Sequence, residues 1–256
     1  MKTLSLDSSL VVGYSSAAQK IRVMSEDWAR RNIICASCGN PIERERNNRP
    51  VLDFYCSVCS EQYELKSKQN NFARKVTDGA YATMLDRLQS SNNPNFFFLS
   101  YDPRLLEVLN FFVVPGHFFA PRIIEKRKPL KDTARRAGWV GCNILLDQIL
   151  ESGRIHYVRN KQFVPDKQVL ETWGKTVFLK KTKNIEARGW ALDVMRCIEQ
   201  IGDSEFSLSD MYRFEAGLKK MHPKNNFIKD KIRQQLQVLR DQNYLEFKGG
   251  GKYRVI

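Results

Sequence analysis

The chain has 256 residues, 42% of them hydrophobic and 27% charged, which suits a globular protein of one large or two smaller domains. No apolar run approaches the ~20 residues of a membrane-spanning helix, so no such helix is expected. The net charge of +14 is spread along the chain. It favours a polyanionic partner such as nucleic acid, although a membrane-surface patch would also be basic.

The N-terminal segment predicts a helix and lacks the pattern of a secretory signal, so we expect a cytoplasmic protein. Residues 15–32 space Ala, Ile, Met and Trp along one apolar helix face. Ser25 could instead cap a second helix, because two acidic residues, Glu26 and Asp27, would then lie in its first turn.

Two Cys-x-x-Cys pairs, Cys35/Cys38 and Cys56/Cys59, have the spacing of a four-thiolate zinc site. A tight turn can bring two thiolates three residues apart into contact with one tetrahedral ion. Disulfides or inert buried cysteines are the alternative, but a reducing cytosol keeps few stable disulfides. We predict a structural Zn²⁺ on these four residues. The residues after each pair suit such turns: Gly39 and Ser60. Two further cysteines are predicted to be buried and inert: Cys142 and Cys197.

Two short strands are predicted on either side of the second cysteine pair. Residues 49–55 indicate a strand that opens at Pro50, where no ladder donor is needed, and residues 61–66 indicate the returning strand. The returning strand places Glu64 and Lys66 on one face, because strand side chains alternate with a period of two.

Asp53, Glu64 and Lys66 would form a hydrolytic site if Asp53 lines that same face. Mg²⁺ prefers one or two carboxylates together with waters and phosphate oxygens, so Asp53 and Glu64 suit it. Lys66 could orient or help to deprotonate a metal-bound water for attack on phosphorus. The pattern is loose, and surface charges on an exposed hairpin are the alternative. Its position in two adjacent strands beside the cysteines favours the site.

Beyond the hairpin, helical and strand patterns alternate. Residues 77–89 predict a helix, and Ser-Ser-Asn-Asn-Pro at 90–94 predicts a break. The apolar runs 95–101 and 110–114 predict buried strands, whose phenylalanines we assign to the core rather than to a base-stacking platform. Short strands are expected again within 154–181, at I-H-Y-V-R and T-V-F-L-K-K. Strands separated by helices indicate an α/β core.

The densest basic stretch covers residues 121–138, and Pro129 argues against one continuous helix there. A solvated loop and a phosphate-binding segment that includes Arg135 and Arg136 are both consistent with it. Trp139 follows directly, and a single tryptophan beside a glycine is usually a core residue.

The C-terminal residues 184–256 predict a winged helix, with three helices followed by a hairpin that turns through three glycines. The second helix begins at the cap Ser207 and runs through Leu218, and the third covers 227–242. The third helix would enter the major groove. Its exposed face carries the predicted base contacts: Lys231, Arg233, Gln234, Gln235, Gln237 and Arg240. The wing lysines would contact phosphate: Lys248 and Lys252. A winged helix can instead serve protein–protein contact. We place the domain boundary between residues 183 and 184.

Long strings over essentially the whole chain resemble the DpnI-like methyl-directed type II restriction endonucleases. They include P-V-L-D-F-Y-C-S-V-C-S-E-Q-Y-E-L-K-S-K, N-N-P-N-F-F-F-L, T-A-R-R-A-G-W-V-G-C-N-I and K-I-R-Q-Q-L-Q-V-L-R-D. The resemblance implies an α/β (α+β) restriction-endonuclease-like core with a mixed sheet and a zinc site over 1–183. This PD-(D/E)xK nuclease domain would be followed by a winged-helix domain over 184–256.

The resemblance also implies roles for individual residues. Asp53, Glu64 and Lys66 would be catalytic, with catalytic Mg²⁺ on Asp53, Glu64 and the backbone carbonyl of Leu65. Trp139 would lie against adenine methyl groups, which carry no hydrogen-bonding information and can be read only by apolar contact. The proline of the family pattern would be Pro50, slightly displaced from the aspartate.

Two functions remain open at this point. The first is Mg²⁺-dependent cleavage of double-stranded DNA at adenine-methylated sites, Gm6ATC by resemblance, in the cytoplasm of a prokaryotic cell. The second is a non-catalytic, zinc-containing winged-helix regulator, which would leave the acidic trio unexplained. We expect a monomer with one cleavage site, so cutting both strands requires a dimer on DNA or two visits.

Overall fold

The computed structural model of the protein describes residues 2–45, 52–89, 93–182 and 184–256. Chain contacts divide it into two compact units, Met1–Gly174 and Lys175–Ile256. The domain boundary predicted between residues 183 and 184 falls C-terminal to this division. Because Lys183 lies outside the described residues, that boundary stays a prediction. Among the helices described, none combines the length and the apolar character needed to cross a membrane.

Within its described residues, the first unit contains one seven-stranded sheet, one three-stranded sheet and three α-helices. The helices are α1 (Ala17–Asn32), α2 (Tyr81–Gln89) and α3 (Asp166–Gly174). The strands are β1 (Glu43–Arg44), β2 (Phe54–Tyr55), β3 (Gln62–Gln69), β4 (Lys75–Ala80), β5 (Asn95–Asp102), β6 (Glu107–Val114), β7 (Ile124–Lys126), β8 (Gly141–Leu145), β9 (Ile155–Arg159) and β10 (Gln162–Phe163). The large sheet has the order β1-β2-β3-β5-β6-β9-β10, and the small one has the order β4-β8-β7. Because β3 and β5 run parallel while the other pairs are antiparallel, the large sheet is mixed, as predicted.

The core of the first unit lies around the central strands β5 and β6. Phe96, Phe97, Phe98 and Phe111 are fully buried, which confirms their assignment to the core. Each buried aromatic side chain stabilises the fold by about 2 to 3 kcal/mol through apolar area removed from water. Trp28 of α1 packs its ring 5.2 Å from that of Phe111. Helix α1 is thereby fixed against the sheet.

The strand β3 shows the predicted alternation. Tyr63 faces the core and stacks on Phe97 at a ring-centroid distance of 4.4 Å. Glu64 and Lys66 share the opposite face, where the Lys66 Nζ lies 2.5 Å from the Glu64 Oε1. The prediction for this strand is therefore confirmed.

The second unit has the winged-helix order. It contains α4 (Phe178–Lys181), α5 (Ile185–Ile201), β11 (Glu205–Ser207), α6 (Leu208–Tyr212), α7 (Glu215–Met221), α8 (Ile228–Asp241), β12 (Leu245–Gly249) and β13 (Lys252–Val255). The three strands form one sheet in the order β11-β13-β12. Ser207 and Asp210 form a reciprocal capping box that starts α6. Ile232, Leu236 and Leu239 of α8 are fully buried, as their helical spacing predicts.

Several local predictions are wrong. Residues 77–80 belong to β4 rather than to a helix, because β8 offers a strand partner, and the helix starts at Tyr81. Ser25 does not cap a new helix; it is buried in the middle of α1. Of the two short strands predicted within 154–181, I-H-Y-V-R is confirmed as β9, whereas T-V-F-L-K-K ends in α4, where burial of Phe178 overrides the strand propensity of its segment. The helix α3 between them is not predicted.

Three further differences concern the winged helix and the hairpin of the first unit. The second helix of the winged helix divides into α6 and α7 at Arg213 and Phe214. Gln235 is buried with only 5% of its surface exposed, because it lies beside Leu236 at the edge of the apolar face of α8. The strand predicted at 49–55 is described only from residue 52, with β2 at its end, and Pro50 lies outside the described residues.

Candidate active site and DNA-binding surfaces

The four predicted zinc ligands form one cluster. The sulfur atoms of Cys35, Cys38, Cys56 and Cys59 all lie within 4.8 Å of one another. The Sγ–Sγ distance is 3.4 Å between Cys35 and Cys59 and 3.5 Å between Cys38 and Cys56. Four thiolates about 2.3 Å from a tetrahedral ion lie about 3.8 Å apart, so the cluster could hold a zinc ion. The six cysteines all lie within the described residues, and none of them forms a disulfide there.

Each cysteine pair sits in a tight turn that the backbone closes. The Gly39 N–H donates to the Cys35 carbonyl at 2.9 Å, and the Ser60 N–H donates to the Cys56 carbonyl at 2.9 Å. Gly39 and Ser60 adopt the left-handed conformation, with φ of 77° and 61°. The predicted turn residues are therefore confirmed, and the two turns point their thiols at a common centre.

The chemistry of Cys38 also suits a metal ligand. Burial raises the pKa of the Cys38 thiol, but hydrogen bonds from Asn40 and the neighbouring thiols outweigh that effect and bring it to about 7. A thiolate is the form that binds zinc. Burial raises the pKa of Cys35, so its deprotonation is favoured mainly when a cation is bound nearby.

The predicted acidic trio does converge. The Leu65 N–H on β3 donates to the Asp53 Oδ2 at 2.7 Å, which draws Asp53 toward the strand that carries Glu64 and Lys66. The N–H and C=O of one strand residue point to the same side, so the Leu65 carbonyl also lies toward Asp53. Lys66 closes the cluster through its 2.5 Å contact with Glu64.

The site is largely removed from water, and this changes its electrostatics. Burial raises the pKa of Asp53, and the nearby Glu26 carboxylate contributes to the same shift. Burial raises the pKa of Glu64 as well, with the Asp78 carboxylate adding to the rise and Lys66 opposing it. Burial would lower the pKa of Lys66, but Glu64 and Asp78 outweigh it and raise the value. Concentrated carboxylates with raised pKa values are typical of sites that bind a cation.

One oxygen atom of the site is suited to bind a cation. The Glu64 Oε2 is buried and has no hydrogen-bond partner, although the Arg87 Nη1 lies 3.5 Å away. A buried carboxylate oxygen without a hydrogen bond is costly unless a cation is bound to it. The residues present therefore suit a divalent metal ion on Asp53 and Glu64.

Sequence reasoning missed three residues around the trio. Asp78 of β4 pairs with the Lys66 ammonium. Arg87 of α2 approaches Glu64, and the Arg22 Nη2 on α1 lies 3.8 Å from the Asp53 Oδ1. No local signal could have found them, because each comes from an element distant in sequence.

A second group of predicted residues lies around the small sheet of the first unit. Arg135 and Arg136 are exposed, and Trp139 is half-buried rather than fully in the core. The Arg136 guanidinium lies 4.9 Å from the centre of the Trp139 ring, a cation–π contact. The ring covers Gly141, since a Cβ there would lie 2.8 Å from two of its carbons.

The winged helix presents a basic face on α8 and a basic wing. Arg233, Gln234, Gln237 and Arg240 are exposed, and Lys231 is half-buried with its Nζ 5.8 Å from the Trp190 ring centre. The buried position of Gln235 removes it from the predicted base contacts.

The wing turns through three glycines with positive φ, as its sequence indicates. Lys248 and Lys252 are exposed on either side of that turn.

Comparison with known families agrees with this description of both units. The model of the Dam-replacing family, DpnI, matches residues 2–182. The model of the Dam-replacing HTH domain matches residues 186–255. These matches cover most of the chain and follow one another without overlap. The chain thus belongs to the DpnI family of restriction endonucleases, with the C-terminal winged helix of that family.

Proposed function

We propose that the protein is a Mg²⁺-dependent, methyl-directed type II endonuclease that cleaves double-stranded DNA at adenine-methylated sites, with Gm6ATC as the expected sequence. The observation that carries the proposal is the convergence of Asp53, Glu64 and Lys66 in a chain of the DpnI family. A DNA-binding regulator would leave this gathering of two carboxylates and an ammonium without a role.

In this proposal Asp53, Glu64 and the Leu65 carbonyl hold Mg²⁺. The ion would supply positive charge to polarise the scissile phosphate and to lower the pKa of the attacking water. Asp53 is already fixed for this role by the Leu65 N–H. Lys66 donates hydrogen bonds that orient the attacking water toward phosphorus. Burial of all three side chains keeps bulk water from screening these charges.

The zinc ion in this proposal is structural. Cys56 and Cys59 lie between Asp53 and Glu64, in the connection that joins the two strands of the site. Zinc on the four cysteines would fix that connection and hence the separation of the two carboxylates. It would take no part in the chemistry, because four thiolates leave no open position for water or phosphate.

Recognition is assigned to two surfaces. Trp139 in the first unit would contact the adenine methyl groups, with Arg135 and Arg136 on the backbone phosphates. In the second unit, the exposed side chains of α8 would contact base edges in the major groove. These are Lys231, Arg233, Gln234, Gln237 and Arg240. The wing lysines, Lys248 and Lys252, would meet phosphate. We expect a monomer with one cleavage site, so that cutting both strands takes a dimer on DNA or two visits.

Single-turnover cleavage of a methylated plasmid by variants tests the catalytic assignment. We expect Asp53→Ala and Lys66→Ala to abolish cleavage with Mg²⁺ while binding to the same plasmid is kept. Asp147→Asn serves as a control, because that carboxylate pairs with the exposed Arg74 outside the site. If both variants cut like wild type, the catalytic assignment is wrong. A wild-type protein that binds tightly but never cuts would favour the regulator.

A further inference from the structure

The Lys66 ammonium lies between two carboxylates that belong to different sheets. Its Nζ is 2.5 Å from the Glu64 Oε1 on the same strand, and it also contacts the Asp78 Oδ1. Strand β3 is part of the seven-stranded sheet, whereas Asp78 is on β4 of the three-stranded sheet. The side chain of Asp78 is only 7% exposed, less than either of the other two. The contact therefore joins the two sheets at the reaction centre.

The two carboxylates do not hold Lys66 under the same conditions. In the proposed reaction Glu64 is a metal ligand, so its charge is shared with the ion. The Arg87 Nη1, 3.5 Å from the other oxygen of Glu64, competes for the same carboxylate. Asp78 is not among the proposed metal ligands, and its backbone pairs with Cys142 of β8. Asp78 is thus the partner that stays with Lys66 when Glu64 is engaged.

We propose that Asp78 is a positioning residue for the reaction: it holds the Lys66 ammonium beside the scissile phosphate independently of Glu64. This proposal rests on the nuclease function proposed above. A lysine side chain has four rotatable bonds, so without a second anchor the ammonium samples many positions. Misplacement of a reacting group by about 1 Å can cost ~10²-fold in rate.

The kinetic test is a double-mutant cycle between Asp78→Asn and Lys66→Ala. Asn is close to Asp in size, removes the charge and replaces one carboxylate oxygen by an NH₂ group. We expect Asp78→Asn to lower the single-turnover rate about 10- to 100-fold with little change in the KM for DNA. In the Lys66→Ala background the same change should have no further effect. Asp147→Asn, in which a carboxylate outside the site is lost, should leave the rate unchanged. Asp78→Glu, which keeps the charge, should restore part of the rate.

A second readout does not depend on cleavage. In ¹⁵N-lysine-labelled protein without added Mg²⁺, an ammonium anchored by two carboxylates gives a protected NH₃⁺ signal, assigned by its loss in Lys66→Arg. We expect that signal to weaken or disappear in Asp78→Asn and to persist in Asp78→Glu and Asp147→Asn. If Asp78→Asn unfolds at the assay temperature, Asp78→Ser is measured in the same way.

The outcomes separate the two proposals. A wild-type rate in Asp78→Asn, or an unchanged Lys66 signal, would overturn the positioning role while leaving the nuclease function intact. If the wild-type protein does not cut methylated DNA at all, the proposed function fails. The ammonium signal then decides alone whether Asp78 holds Lys66.

Discussion

Loss of one cysteine from the predicted zinc cluster tests how the hairpin is held, and Cys56→Ser is the sharpest change. Cys56 is fully buried, its thiol lies 3.5 Å from that of Cys38, and its N–H donates to the Glu61 carbonyl at 2.9 Å. It lies directly between β2 and β3. A change there affects the segment that brings Asp53 to its 2.7 Å contact with Leu65.

The expected loss of folding stability in Cys56→Ser follows from the free energy of zinc binding. Structural zinc binds peptides with an apparent free energy of about 10 to 16 kcal/mol. One ligand in four accounts for about 3 kcal/mol of this, a large part of the ~5 to 15 kcal/mol by which domains are stable. In a unit of this size 1 kcal/mol shifts the melting temperature by about 2 to 4 °C. We expect Cys56→Ser to melt about 10 °C lower.

The assay combines three measurements on the same preparation: zinc per chain by elemental analysis, thermal unfolding, and the rate of cleavage of methylated plasmid. Wild type should contain one Zn²⁺ per chain, and Cys56→Ser should bind zinc about 100-fold more weakly and lose stability and cleavage together. Cys197→Ser is the matched control, since Cys197 is a buried thiol of the second unit. It should keep its zinc and lose only about 1 kcal/mol. A Cys56→Ser protein without zinc that melts and cuts like wild type would refute the reasoning.

Three further predictions follow from other contacts. Gly141→Ala should push aside the Trp139 ring, whose carbons lie 2.8 Å from the new Cβ, and lower the preference for methylated over unmethylated DNA about 10-fold in paired cleavage assays. Preserved preference would mean that Trp139 does not read the methyl group. Glu64→Gln should abolish cleavage yet raise the melting temperature by about 2 to 4 °C at pH 8 without Mg²⁺. Burial raises the pKa of Glu64, so its stability contribution is fully present below the ordinary value of 4.5 and is lost as the pH rises through the folded-state value. The gain should vanish near pH 4, and a gain independent of pH would contradict this cause. Replacing Lys248 and Lys252 together by Ala should weaken binding to all DNA sequences alike and reduce the slope of log K against log salt by about 2. An unchanged slope would exclude phosphate contacts by the wing.

The features that were predictable from the sequence are those encoded locally. The cysteine spacing predicts the cluster, because each pair needs only one tight turn. The period of two along β3 places Glu64 and Lys66 together, since it depends on strand geometry alone. The helical spacing in α8 likewise predicts its buried Ile232 and Leu236.

The features that were not predictable depend on partners far away in the chain. The sequence pattern assigns Asp78 to a helix, because the apolar residues Ala80, Met84, Leu85 and Leu88 follow it at helical spacing. Pairing with Cys142 instead makes it a strand residue that contacts Lys66. Arg87 reaches Glu64 only through the fold. Gln235 is predicted to be exposed but is buried, because it lies at the margin of the apolar face of α8. At that margin a small rotation of the helix decides whether a side chain is exposed.

Cleavage of three duplexes that differ only in methylation tests the central claim most directly. The wild-type protein is incubated with Mg²⁺ and with fully methylated, hemimethylated or unmethylated GATC duplexes, and strand scission is followed over time. The account predicts rapid cutting of the fully methylated duplex, none without Mg²⁺, and little or none of the unmethylated one. A fully methylated duplex that is bound but left uncut in the presence of Mg²⁺ would contradict it.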